Sequence, residues 1–215
     1  MLDLHYAQIF FSFIVLLFSL TVHEMAHAWA ADRLGDPTAR LLGRVSLNPL
    51  VHADPVGTFL FPLLSLIGGG RGLLIGWAKP VPVSVGRLSQ PRRDFMLVAL
   101  AGPLSNLALA IVGAVGLRLL TVAPGRVGDV AVAAPLATLA LRAVYTNVGL
   151  ALFNLVPIPP LDGGNVLSGL LPYRLAVQFD RLRPYGFLLL YALMFSGGLG
   201  LVMGPPSYFL LSWLL

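Results

Sequence analysis

Residues 6–31 read Tyr-Ala-Gln-Ile-Phe-Phe-Ser-Phe-Ile-Val-Leu-Leu-Phe-Ser-Leu-Thr-Val-His-Glu-Met-Ala-His-Ala-Trp-Ala-Ala. Apart from Gln8, a few hydroxyls and the group His23-Glu24-Met25-Ala26-His27, the run is apolar. Its 26 residues suffice to cross a hydrocarbon core that needs about 20 helical residues. Asp3 stands where a secretory leader would carry basic residues, and the run is too long for one, so it reads as a span.

The rest of the chain repeats the message. Of 215 residues, 57% are hydrophobic and 11% charged, against roughly 45–50% and 25% in soluble domains. The mean hydropathy is +0.85. One soluble core of this length cannot bury so much apolar side chain, so the surplus must face lipid. Collagen, coiled coil, disordered tail and ordinary soluble enzyme are excluded. The net charge of +5 comes from thirteen arginines and Lys79. They are scattered over loops between apolar runs, a pattern of cytoplasmic loops and anionic headgroups and not of a nucleic-acid face. Cysteine is absent, which removes disulfides, thiolate metal sites and thiol nucleophiles.

Further apolar segments run over Val56–Ile67, Phe95–Leu120, Val130–Asn154 and Tyr185–Leu215. The first is 12 residues long and contains Pro62, which suits a re-entrant helix. The last reads as one spanning helix followed, after Gly204-Pro205-Pro206, by a stub. Between 71 and 93 the alternating Val and Pro of Lys79-Pro80-Val81-Pro82-Val83 read as an extended edge strand or hairpin. The expected architecture is therefore an all-α polytopic bundle of about four to six transmembrane helices with a short membrane-associated β-hairpin or strand, one domain over 1–215. Basic residues concentrate in 33–93 and 171–184, which places those segments in the cytoplasm. His23, His27 and Asp162 then share the cytoplasmic depth of the membrane.

His23 and His27, four apart on a helix, present both imidazoles on one side. There they can hold Zn²⁺ while Glu24 reaches water at the metal as general base. Three ionisable groups within five residues of a span are costly unless paired or ligated. A catalytic zinc site takes a third protein ligand. Glu24 is the only glutamate, so a second glutamate, the thermolysin solution, is excluded. His5, at the far end of the first helix, and Asp129, across the membrane, are remote. Asp32 and Asp36 read as helix-end and turn residues and Asp180 as part of a basic loop. His52 and Asp54, in a loop that can fold back on the site, stay open as competitors. Asp162 is preferred. It follows the helix break Pro157-Ile158-Pro159-Pro160, tolerable at membrane depth only where protein or a water cavity surrounds it.

The motif His23-Glu24-Met25-Ala26-His27, together with Asn154-Leu155-Val156-Pro157-Ile158-Pro159-Pro160-Leu161-Asp162-Gly163, resembles the site-2 protease family of intramembrane metalloproteases. Every fixed position of that family's N-x-x-P-x-P-P-L-D-G pattern is met. Ala101-Gly102-Pro103 with Asn106, and Asn48-Pro49 with His52-Ala53-Asp54-Pro55, match two further segments. The resemblance implies that His23, His27 and Asp162 ligate one zinc ion, that Glu24 is the base, and that Asn154 holds the substrate carbonyl or oxyanion. It implies that residues 79–83 lie where relatives have a hairpin that pairs with an unwound substrate. The implied partners are a transmembrane-helix protein substrate and the lipid bilayer of a prokaryotic cytoplasmic membrane. A separate regulatory membrane protein is left open, since 215 residues leave no room for the PDZ or CBS domain many relatives carry. The alternative is a non-proteolytic zinc-binding membrane protein, a metal transporter or pseudo-protease. Few polar groups in the other helices and the retained Glu24 count against it.

Overall fold

The computed structural model describes residues 2–60, 77–122 and 130–215. The first long helix, α1 (Leu2–Arg33), leads through a turn into two short ones, α2 (Thr38–Leu41) and α3 (Pro49–His52), and a π-helical turn at Pro55–Leu60. After a 3-10 turn at Val85–Arg87 come α4 (Pro91–Val122) and α5 (Val130–Asn154). A proline-rich break leads to α6 (Asp162–Leu170), α7 (Tyr173–Asp180), α8 (Gly186–Phe195) and α9 (Gly198–Leu214).

Among the described residues three stretches are long and apolar enough to cross a membrane: Ile9–Arg33, Pro91–Thr121 and Ala133–Asn154. A fourth arises if Tyr173–Phe195 and Gly198–Leu214, bent by 76° against each other, count as one. Large apolar side chains face outward, as in lipid: Phe10, Ile14 and Phe18 form an exposed stripe at helical spacing on α1, and Val112 and Leu119 lie exposed on α4. Inside, small residues let the helices approach. Ala110 and Ala114 of α4 pack with Val144 and Val148 of α5 and Leu214 of α9. Ala30 and Ala31 of α1 meet Val98 of α4.

Where a spanning helix and, after Gly204-Pro205-Pro206, a stub were expected within Tyr185–Leu215, the two helices part at Gly197 instead. Gly197 adopts φ +75°, the left-handed conformation that ends a helix. Pro205 and Pro206 each remove one backbone donor but keep a helical φ, and α9 runs through them. Of the proposed re-entrant segment Val56–Ile67, the part to Leu60 belongs to the π-helical turn, and 61–67 lie outside the described residues.

Among the described residues no β-strand occurs, and 77–84 run as an unladdered strip. The expected hairpin is not shown. Its physical difficulty is plain in the sequence: Pro80 and Pro82 have no N–H to give to a ladder. Neighbouring side chains and carbonyls hold the strip instead. Trp77 N–H donates to Gly57 O at 3.2 Å and Lys79 N–H to His52 O at 2.8 Å. The buried Arg44 guanidinium donates to the carbonyls of Val51, Lys79 and Pro80. Asp36, fully buried, accepts Ser84 N–H at 2.6 Å. The strip is thereby pinned beside α1, where it meets Glu24.

Candidate metal centre

α1 delivers His23 and His27 one turn apart, both buried, with ring planes at 87° and centroids 4.6 Å apart. Their Nε2 atoms lie 3.0 Å from each other. Asp162, at the start of α6, brings Oδ2 to 3.2 Å from His23 Nε2 and 3.3 Å from His27 Nε2. Ligand atoms about 2.0–2.1 Å from a tetrahedral zinc stand about 3.3–3.4 Å from one another. The observed triangle matches that spacing to within a few tenths of an ångström. Among the described residues this is the group of metal-ligating side chains that could hold an ion.

The outer nitrogens show which way the inner lone pairs face. His23 Nδ1 lies 2.6 Å from Asn106 Oδ1, and His27 Nδ1 lies 2.7 Å from the Val98 carbonyl oxygen. Both acceptors require Nδ1 to carry the proton, so each neutral ring turns its Nε2 lone pair inward. Two lone pairs and a carboxylate oxygen at this spacing converge on one point, where a cation could be held. The donor set, two imidazoles and one carboxylate, suits zinc with an open position.

Glycines make the approach of the three elements feasible. A Cβ on Gly102 of α4 would stand 2.4 Å from His27 Nε2 and 2.6 Å from His23 Cε1. One on Gly163 would meet Leu155 O at 2.3 Å, so the break folds back tightly enough to aim Asp162 at α1. Gly186, opening α8, would put a Cβ 2.0 Å from Pro159 O, so α8 seats on the same break.

Glu24 lies about 100° around α1 from His23 and outside the metal-ligating group. Its Oε2 accepts Val81 N–H at 3.0 Å. Asn154, half-buried at the end of α5, donates Nδ2–H to its own helix at Leu150 O, 3.0 Å. Neither competing ligand joins the group. His52 is buried with Nε2 on Ser46 O at 2.8 Å, and Asp54 Oδ1 accepts Val56 and Gly57 N–H at the π-helical turn. Three further carboxylates serve locally. Asp32 pairs with Arg40 at 2.8 Å, Asp180 with Arg183 at 3.0 Å, and Asp94 accepts Gln90 N–H ahead of α4. His5 lies about 27 Å along the axis of α1 from His23, and Asp129 falls outside the described residues. Sequence reasoning missed Val98 and Asn147 beside the site. Only the amide inside an apolar span could have signalled Asn147.

The family model described as Peptidase family M50 matches residues 11–129 and 119–196, with the His23–His27 motif in the first segment and the Asn154–Gly163 motif in the second. The chain belongs to peptidase family M50, the site-2 protease family. The M50 chain is 39% identical over 175 residues to YwhC of Bacillus subtilis, whose provisional name is zinc metalloprotease; the match covers 81% of this chain and 75% of YwhC. It is 37% identical over 147 residues to Rip2 of Mycobacterium tuberculosis, covering 68% of this chain and 52% of that one. With Rip2 of Mycolicibacterium smegmatis the identity is 31% over 183 residues, 85% of this chain and 66% of the relative. Both Rip2 proteins carry the same provisional description. The M50 chain thus spans about half to three quarters of these curated relatives. No solved structure matches it. Zinc is the cofactor that the family and its metalloprotease relatives imply, and His23, His27 and Asp162 fit it.

Proposed function

We propose that the chain is an intramembrane zinc endopeptidase that hydrolyses peptide bonds within or next to transmembrane segments of other membrane proteins. The observation that carries this reading is the zinc-sized triangle of His23, His27 and Asp162, with Glu24 and an extended strip beside it, among helices long enough to cross a bilayer. In this reading His23, His27 and Asp162 are the ligands. Zinc held by them supplies Lewis acidity, which polarises a carbonyl and acidifies water near neutral pH.

Glu24 takes the proton from the attacking water and returns it to the leaving amine. The Val81 N–H donates to Glu24 Oε2 at 3.0 Å and holds the side chain beside the strip. Asn154 orients the substrate carbonyl. Its Nδ2 carries a second hydrogen besides the one given to Leu150 O, so the amide can serve both. A helical substrate has its amides satisfied internally and must unwind before a carbonyl can reach the site. Strip 77–84, extended and in no ladder among the described residues, suits such an unwound segment. Eleven of the fourteen basic residues fall in 33–93 and 171–184, which supports a site facing the cytoplasm.

The test is incubation of purified protein in detergent with single-span substrates, some carrying helix-breaking residues, followed by mass mapping of the products. Cuts inside or at the edge of the span, faster when the helix is weakened, support the reading. Cuts confined to soluble tails would overturn it.

A further inference from the structure

His23 and His27 have their inner nitrogens aimed by different devices. His27 donates to a backbone carbonyl, Val98 O, which can only accept. His23 meets a side-chain amide, Asn106, which could face it with either oxygen or nitrogen. The geometry shows what settles the choice. Asn106 Nδ2 lies 2.8 Å from Asn147 Oδ1 on α5 and 3.3 Å from Ser19 O on α1. Asn147 Nδ2 in turn lies 2.9 Å from Ala143 O, one turn back along α5. His23, Asn106 and Asn147 are all buried.

Resting on the zinc reading above, we propose that Asn106 and Asn147 form a directional hydrogen-bond relay across α1, α4 and α5 whose task is to fix the His23 tautomer. The polarity starts at Ala143 O, which can only accept. Asn147 must therefore turn Nδ2 towards it and Oδ1 towards Asn106. Asn106 must then turn Nδ2 outward and Oδ1 towards His23, which must carry its proton on Nδ1. Reversing either amide sets two oxygens against each other at about 2.8–2.9 Å in a buried site, a loss of the kind that costs more than a hydrogen bond is worth. The Ser19 carbonyl adds a second, longer constraint in the same sense. The Nε2 lone pair of His23 is thus presented to the metal before the metal arrives. Asn106 and Asn147 are positioning residues; neither is within the ligand group.

The test measures zinc affinity of the purified full-length protein by chelator competition, with nitrogen NMR of the histidine rings in zinc-free protein as a second readout. Asn106→Leu removes the acceptor and should weaken zinc binding about 10- to 100-fold, the usual cost of losing an outer-shell partner. Asn147→Leu, which never touches His23, should weaken zinc about 3- to 10-fold and yield a mixture of His23 tautomers. Val144→Ala, a buried neighbour on α5 outside the relay, serves as the packing control and should leave both readouts unchanged. The relay is overturned if Asn106→Leu binds zinc and holds the His23 tautomer as wild type does, or if Asn147→Leu behaves like Val144→Ala. Wild-type protein that binds no zinc would refute the metal centre itself, a separate failure.

Discussion

Gly102→Ala puts one methyl group where α4 presses on both imidazoles. The added Cβ would stand 2.4 Å from His27 Nε2, 2.5 Å from His27 Cε1 and 2.6 Å from His23 Cε1. Ordinary contact between such atoms is about 3.5–4.0 Å, so each must retreat by about 1 Å. The two rings cannot simply swing aside and still bind metal. Their Nδ1 atoms are tied to Val98 and Asn106, both on the helix that carries the new methyl. Without metal the rings can rotate and relieve the clash; loading zinc reimposes it, because ligand distances tolerate only about ±0.2 Å. Overpacking of this kind costs about 1–3 kcal/mol, which converts to about 5- to 150-fold weaker zinc binding. Chelator competition in detergent measures it, with Gly116→Ala as control, since a Cβ there meets nothing within 4 Å. Zinc affinity in Gly102→Ala within about twofold of wild type, under 0.5 kcal/mol, would refute the reasoning.

Gly163→Ala would place a Cβ 2.3 Å from Leu155 O, so the break must open and draw Asp162 away from the histidines; zinc content after dialysis should fall while the long helices persist by circular dichroism. Asp36→Asn tests the strip's anchor. Burial alone would raise the Asp36 pKa, but bonds from the Thr38 hydroxyl, Ser84 N–H and Thr38 N–H together hold it below the ordinary 3.8. A depressed carboxylate contributes stability that is full above its unfolded pKa and lost as pH falls through the folded one. The wild-type advantage in melting temperature over Asp36→Asn should therefore be constant near neutrality and close only below pH 3.8; an advantage that grows on acidification would contradict this.

The membrane class and the pairing of His23 with His27 were legible because their signals are local. Residues 6–31 exceed the length of a span, and four-residue spacing puts His23 and His27 on one side whatever the rest of the chain does. Asp162 was legible through the three prolines before it, which make sense only at a built break. The Asn106–Asn147 contact was not. It joins residues 41 apart on two helices, and which faces of α4 and α5 meet depends on helix rotation that hydrophobic periodicity does not encode when both helices are apolar all round. The strip at 77–84 was legible as extended backbone, while its anchors were not, for a related reason. Alternating Val and Pro fit an extended backbone, yet its anchors, Arg44, Asp36 and Glu24, are distant in sequence and took the place of a ladder. The bend at Gly197 was masked by the stronger-looking Gly204-Pro205-Pro206, since a left-handed glycine cannot be told by sequence from any other.

The most direct test of the central claim compares wild type with Glu24→Gln, measuring bound zinc and cleavage of a single-span substrate on the same preparations. The substitution is nearly isosteric, spares all three ligands and removes only the group assigned to move the proton. The account predicts one zinc per chain in both proteins, cleavage by wild type, and a loss of about 100-fold or more in the variant. Cleavage by Glu24→Gln at the wild-type rate, or zinc binding without cleavage by either protein on several helix-weakened substrates, would contradict it.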